Sequence, residues 1–148
     1  MKRSGLFFAV FFWVIAFSSA QDFRKVAEEN ADPADTRLAE KFATDYMNKL
    51  KGGSWYQFSD EATNALKTGL TETTQKSVHQ QLKGMFGEFV SMKYAETWTT
   101  ASGDQKFDIL RFKGIFDKTE NPLEIRVVLN DQDKIAGFFI KPWTEGLN

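Results

Sequence analysis

Apolar positions follow a helical period up to about residue 89 and a period of two beyond it. Leu38, Phe42, Tyr46 and Leu50 recur every fourth residue, with Ala39 and Ala43 beside them. That spacing predicts one apolar stripe on an amphipathic helix. Asp32-Pro33-Ala34-Asp35 opens it. Asp32 can accept from free backbone N–H groups, Pro33 suits the first turn, and Asp35 favours the positive end of the helix. Gly52-Gly53 ends it. Trp55, Tyr56 and Phe58 then read as one or two further helical turns. Ser59-Asp60-Glu61 opens a second helix through Leu66, with Gly69 closing it. Thr71 caps a third, whose stripe is Val78, Leu82, Met85 and Phe86, and Gly87 stops it.

Beyond this point β-branched and aromatic residues come in short runs: Val90–Thr99, Phe107–Phe116, Leu123–Leu129 and Ile135–Ile140. Turn-forming residues separate them, at Ser102-Gly103-Asp104, in the Lys118 to Pro122 stretch, and at Asn130-Asp131-Gln132-Asp133. Short breaks favour hairpins and an antiparallel meander. Helices followed by strands predict an α+β domain, with three N-terminal helices packed on one face of a curved four-stranded antiparallel sheet.

Lys2 and Arg3, the uncharged run Leu6 to Phe17, and Ser18-Ser19-Ala20 together have the pattern of a secretory signal peptide over residues 1–20. The run is shorter than the roughly 20 residues a membrane-spanning helix needs. No stable membrane span is therefore expected after cleavage, and the location is periplasmic or secreted. Residues 21–35 read as a flexible or loosely docked leader, and residues 36–148 as the folded domain.

The chain has no cysteine, so an exported domain must fold without disulfides, on apolar burial alone. Ten Phe, three Trp and three Tyr lie beyond residue 20, ample for one core. The whole chain has a net charge of −1, and removing Lys2 and Arg3 takes it to −3. No basic patch accompanies this balance, which argues against a nucleic-acid partner.

One resemblance emerges from the order of segments. Ala39 to Leu50 is followed by Gly52-Gly53-Ser54-Trp55, Phe58-Ser59-Asp60-Glu61, Leu70-Thr71, Gln81-Leu82 and Gly87-Glu88-Phe89. Leu123 to Leu129 and the run Lys134 to Pro142, DKIAGFFIKP with its preceding Asp133, come last. From about residue 36 to 143 this order resembles a bacterial family of domains of unknown function, sometimes found ahead of α/β-hydrolase domains. That family is in turn similar to the cystatin-like cone of the nuclear transport factor superfamily. The resemblance implies three helices wrapped by a bent sheet around a cavity. It implies no reaction, since cone folds serve as acid–base enzymes, carriers and interaction domains. No Gly-x-Ser-x-Gly elbow is present, so hydrolase chemistry does not carry over.

Candidate chemistry is sparse. His79 is the only histidine, and with no Cys a zinc site has no ligand set. No metal and no cofactor are expected, because no phosphate loop, dinucleotide fingerprint or EF-hand loop occurs. His79 reads as a surface residue beside the stripe, or else as an acid or base in the cavity. Asp45, Asp60, Glu61, Glu96 and Asp108 are the carboxylates to consider. Asp108, between Phe107 and Ile109, is the most interesting, since an apolar pocket can tune a carboxyl for proton transfer. Alternation along the third run puts Arg126 on the face away from the core, where Glu124-x-Arg126 suggests a cross-strand charge pair.

The expected function is binding without catalysis, of a small apolar ligand in the cone or of a protein on the sheet. The alternative is a small acid–base enzyme, an isomerase or dehydratase. Pocket candidates are Tyr46, Phe58, Met85, Phe112, Val127 and Phe138, which are also core candidates. Alternation further puts Phe107, Ile109, Ile115, Ile135 and Phe139 on the outer sheet face. Such a patch calls for a homodimer, or for the leader to fold back over it through Phe23 and Val26. Cleavage after Ala20 predicts that the mature N-terminus, sequenced by mass spectrometry, begins at Gln21. Met1 retained on a membrane-bound protein would contradict it.

Overall fold

A computed structural model describes residues 22–147; the segment read as a signal peptide lies outside the described residues. The chain forms a short strand β1 (Arg24–Lys25), a single 3-10 turn (Glu28–Asn30), and three helices, α1 (Pro33–Lys51), α2 (Asn64–Gly69) and α3 (Glu72–Phe86). Four longer strands follow: β2 (Phe89–Ser102), β3 (Gln105–Phe116), β4 (Leu123–Asn130) and β5 (Ile135–Pro142). These strands pair antiparallel, in the order β1-β2-β3-β4-β5. The fold is α+β, with five strands among the described residues rather than four. The fifth comes from the segment read as a leader, where Arg24 pairs with Thr99 and Lys25 with Trp98.

The helix starts follow their capping residues. Asp32 Oδ1 accepts from Ala34 N at 2.7 Å, and Pro33 occupies the first turn of α1. Thr71 Oγ1 caps α3 by accepting from Thr74 N. The second helix begins later than expected, because Thr63 rather than Ser59 caps it. Residues 55–58 are not helical either. The buried amide of Gln75 claims their backbone instead. Its Oε1 accepts from Tyr56 N at 2.9 Å, and its Nε2 donates to Tyr56 O and Leu70 O, each at 2.9 Å. A side chain that supplies both donor and acceptor satisfies a loop as a neighbouring strand would.

The core lies between the helices and the inner sheet face. Phe42, Tyr46, Met47, Leu50, Leu66 and Leu82 meet Leu110, Phe112, Ile125, Val127, Leu129, Phe138 and Ile140. Phe138 sits 4.7 Å from the Tyr46 ring centroid and 5.1 Å from that of Phe42. Gly87, at φ +86°, turns the chain from α3 into β2 where a Cβ would strike the Asp117 side chain and the Lys118 backbone.

Two bulges reassign faces that simple alternation had placed. The register shift at Val128/Leu129 pairs Leu129 with Ile135 and Val128 with Gly137. Ile135 therefore joins the inner core, and Ala136 takes a place on the outer face. The outer apolar residues Phe107, Ile109, Val128 and Ala136 are buried within the single chain, packed with Leu147, Phe23, Trp98 and Phe139. Both ends of the described chain thus lie over the surface on which self-association was expected. Ile115 and Val90 are the apolar sheet residues left exposed.

Phe112 has no exposure and contacts Tyr94 edge-on at 5.8 Å between centroids. Phe112→Ala is expected to cost about 3–5 kcal/mol, read by urea denaturation. A loss under about 1 kcal/mol would mean that the inner face repacks freely around that position.

Candidate functional site on the outer face of the sheet

The space between the helices and the inner sheet face is nearly filled. Tyr46, Phe112, Val127 and Phe138 are buried core residues, and Phe58 is partly buried against them. Met85 does not line it: at 46 % exposure it lies at the rim of the α3 stripe, whose packed row is Gln75, Val78, Leu82 and Phe86. The crevice between Tyr46, Leu70, Val78, Leu82, Phe138 and Ile140 measures about 20 Å³, room for about one water. Burial pushes the Tyr46 phenol well above its usual pKa. Burial and the hydrogen bond to Glu61 push that of Tyr56 up to about 12.

The acid–base candidates are not brought together. His79, half-buried on α3, has its Nε2 3.0 Å from Glu88 Oε2, and Lys83 Nζ lies 3.0 Å from Glu88 Oε1. Asp108 is half-buried near the end of β3, between Thr99 and Leu129, with Lys106 Nζ at 3.7 Å. It shares the helix-facing side with Leu110 and Phe112, at the edge of the core. Asp45 pairs with Lys41, and Glu61 is bound by Ser59 and Tyr56. Among the described residues no three His, Cys, Asp or Glu side chains gather to hold a metal ion.

A charged cluster occupies the opposite face. Arg111 on β3 and Glu124 on β4 are both at 0 % exposure, and Arg111 Nε donates to Glu124 Oε1. Arg111 Nη1 donates to Glu96 on β2, and its Nη2 donates to the Thr144 carbonyl after β5. One guanidinium thus joins three parts of the chain with three directed donors. The Trp143 ring covers it, 4.2 Å from the guanidinium carbon to the centroid, and Lys113 Nζ lies 4.7 Å from the same ring.

Glu96 reaches this cluster because of a bulge. Tyr94 pairs with Phe112, but Glu96 pairs with Arg111, so Ala95 is the extra residue. Without it Tyr94 and Glu96 would share the inner face. Arg126 is also placed differently from the expected cross-strand charge pair. Directly across from it stand Arg111 on one side and Phe139 on the other. Its opposite charge is Glu124 on its own strand, with Nη2 2.8 Å from Glu124 Oε2. Lys141 adds a third cation, 3.8 Å from the same carboxylate.

Beside this cluster is a hollow of about 250 Å³, lined by Phe23, Arg126, Lys141 and Thr144, Glu145, Gly146 and Leu147. Arg126 Nε is buried and has no hydrogen-bond partner among the described residues. Burial, more than any neighbour, lowers the pKa of both Arg126 and Lys141; Arg111 adds to this at Arg126, and Arg126 and Arg111 add to it at Lys141. Glu96 has the opposite balance: burial raises it, but Lys25, Trp98 and Arg111 hold it below the usual carboxylate range. A larger hollow of about 380 Å³ lies by Asp22, Arg24, Thr99, Thr100, Ala101 and Lys106. Its cations are already matched, Arg24 to Asp22 at 2.9 Å and Lys106 to Asp108.

Of these residues Glu96, Glu124 and Arg126 drew notice in the sequence; Arg111, Lys141 and Trp143 did not. The available signal was three charges, Arg111, Glu124 and Arg126, inside strands otherwise rich in Ile, Val, Leu and Phe. Such charges are seldom buried unless paired.

Comparison with known proteins gives one positive result. A family described as "Protein of unknown function (DUF3887)" matches residues 43–138. No curated protein and no solved structure matches.

Arg111→Met removes the guanidinium from two carboxylates, one of them fully buried. It should cost about 3–5 kcal/mol, as expected for stranding a buried charge. Arg111→Met combined with Glu124→Leu should cost less than the sum of the two single changes, measured by chemical denaturation as a double-mutant cycle. Additive losses would show that the two side chains are not coupled.

Proposed function

The chain belongs to this family of unknown function, which covers most of its folded part, and from its own geometry we propose that it is a binding domain with its ligand site on the outer face of the sheet. The observation that carries this reading is the hollow of about 250 Å³ where a partly unpaired Arg126, Lys141 and the apolar Phe23 converge. Sites that bind small molecules combine apolar walls with a few placed polar groups. The crevice on the helix side, at about 20 Å³, offers far less room. The segment from Thr144 to Leu147 forms one wall, and Arg111 ties it to the sheet through the Thr144 carbonyl.

Two further elements belong to the proposal. The domain acts outside the cytoplasm, supported by the basic, apolar and small-residue order of residues 1–20. Its fold is related to the cystatin-like cone, supported by three helices against the inner face of one antiparallel sheet. Binding in the cone itself is the earlier expectation that this reading replaces.

A mixture of small fragments titrated into the ¹⁵N-labelled protein tests the location. Amide shifts are expected at Phe23, Arg126, Lys141, Gly146 and Leu147. Shifts confined to Tyr46, Val78, Leu82 and Phe138 would return the site to the cone and reject the outer-face reading.

A further inference from the structure

The charges around the hollow do not balance. Lys25 pairs with Glu96, Arg111 with Glu96 and Glu124, and Arg126 and Lys141 both turn to Glu124. Four cations therefore share two carboxylates. Arg126, whose Nη2 donates to Glu124 while its Nε donates to nothing among the described residues, and Lys141 are the two of these cations that line the hollow. Lys141 lies 3.8 Å from Glu124, beyond hydrogen-bonding distance. Its ammonium has three N–H donors, and the Arg126 Nε–H has no acceptor among the described residues. Glu145 is the negative group of the lining, and its Oε1 accepts from Trp143 Nε1 at 2.9 Å. The rest of the lining includes two apolar side chains, Phe23 and Leu147. Both belong to the outer apolar cluster.

Resting on the reading that this hollow is a ligand site, we propose that it takes a small monocarboxylate bearing a short apolar arm, with the carboxylate at Arg126 and Lys141 and the arm against Phe23 and Leu147. A carboxylate offers an acceptor to the Lys141 ammonium and a counter-charge to the Arg126 guanidinium, and charge-assisted hydrogen bonds of this kind are the strong ones. One negative charge suits the surplus. A dianion would meet both Glu124 and Glu145, whose repulsion offsets the gain. The size follows from the volume, which is below the roughly 300–1,000 Å³ of pockets for drug-sized molecules. A branched arm of a few carbons can bury its methyl groups on two apolar walls without reaching the charged end.

Three compounds with one skeleton test this: 4-methylpentanoate, 4-methylpentan-1-ol and 4-methylpentylamine, each titrated into the ¹⁵N-labelled protein at low salt. The carboxylate should shift the amides of Phe23, Arg126, Lys141 and Leu147 and bind at least about tenfold more tightly than the alcohol. Lys141→Gln should weaken the carboxylate while leaving the alcohol unchanged. Lys141 is partly exposed and makes no short contact, so an unchanged Tm will confirm that the variant is folded. Equal binding of carboxylate and alcohol at these residues would overturn the ligand class and leave the hollow as the site. Tightest binding by the amine would do the same, showing that Glu145 sets the charge preference. Shifts at none of these residues with any of the three compounds would overturn the site and the ligand class together.

Discussion

The outer face of this domain depends on one buried guanidinium. An arginine cannot shed its charge in a protein interior, so each Arg111 donor must find an acceptor or leave a large desolvation cost uncompensated. The acceptors come from Glu124 on the adjacent strand β4, Glu96 on the adjacent strand β2, and the Thr144 carbonyl beyond β5. These three contacts tie the middle of the sheet to the C-terminal segment. They also dictate local geometry: the Ala95 bulge exists in a register that turns Glu96 toward Arg111. Replacing such a cluster by apolar groups can stabilise a fold, so its presence is better explained by what it positions than by the stability it adds.

What it positions is a second, polar face on a sheet whose other side is ordinary core. The inner face packs aromatic and aliphatic side chains from α1, α2 and α3 against β3, β4 and β5. The outer face is divided. One part is apolar and is covered by the chain's own ends through Phe23 and Leu147; the other is the cation-rich cluster under Trp143. The proposed site lies where these parts meet, so that one ligand can contact both. This division also explains why the outer apolar residues are buried in a single chain: the N-terminal segment adds a strand at one edge and the C-terminal segment returns across the sheet.

The gap in charge matching has a physical origin in strand geometry. Arg111 and Arg126 stand directly opposite one another on β3 and β4, a repulsive arrangement by itself. Glu124, two residues along, reaches both, and with Lys141 opposite it on β5 it is shared by three cations, of which only Arg111 has a second carboxylate, Glu96. An oversubscribed carboxylate leaves its outermost partners available. Those partners face a hollow rather than a neighbouring strand.

The sequence by itself determined what depends on local chemistry. Asp32 and Pro33 marked the start of α1, the four-residue spacing from Leu38 to Leu50 marked its packed side, and the four strand runs lay where turn residues bounded them. Caps and periodicities act within a few residues, so they are readable without a fold. Tertiary structure decided what depends on partners far along the chain. Gln75 held Tyr56 out of a helix, and Arg24–Lys25 found an edge at Thr99. Met85 lay outside the packed row of α3, and bulges at Ala95 and near Ala136 changed which residues shared a face. A bulge leaves no reliable mark in composition, yet each one reverses the facing of the residues that follow it. Arg111, Glu124 and Lys141 are separated by 13 and 17 residues, and only the pairing of β3, β4 and β5 makes them one cluster.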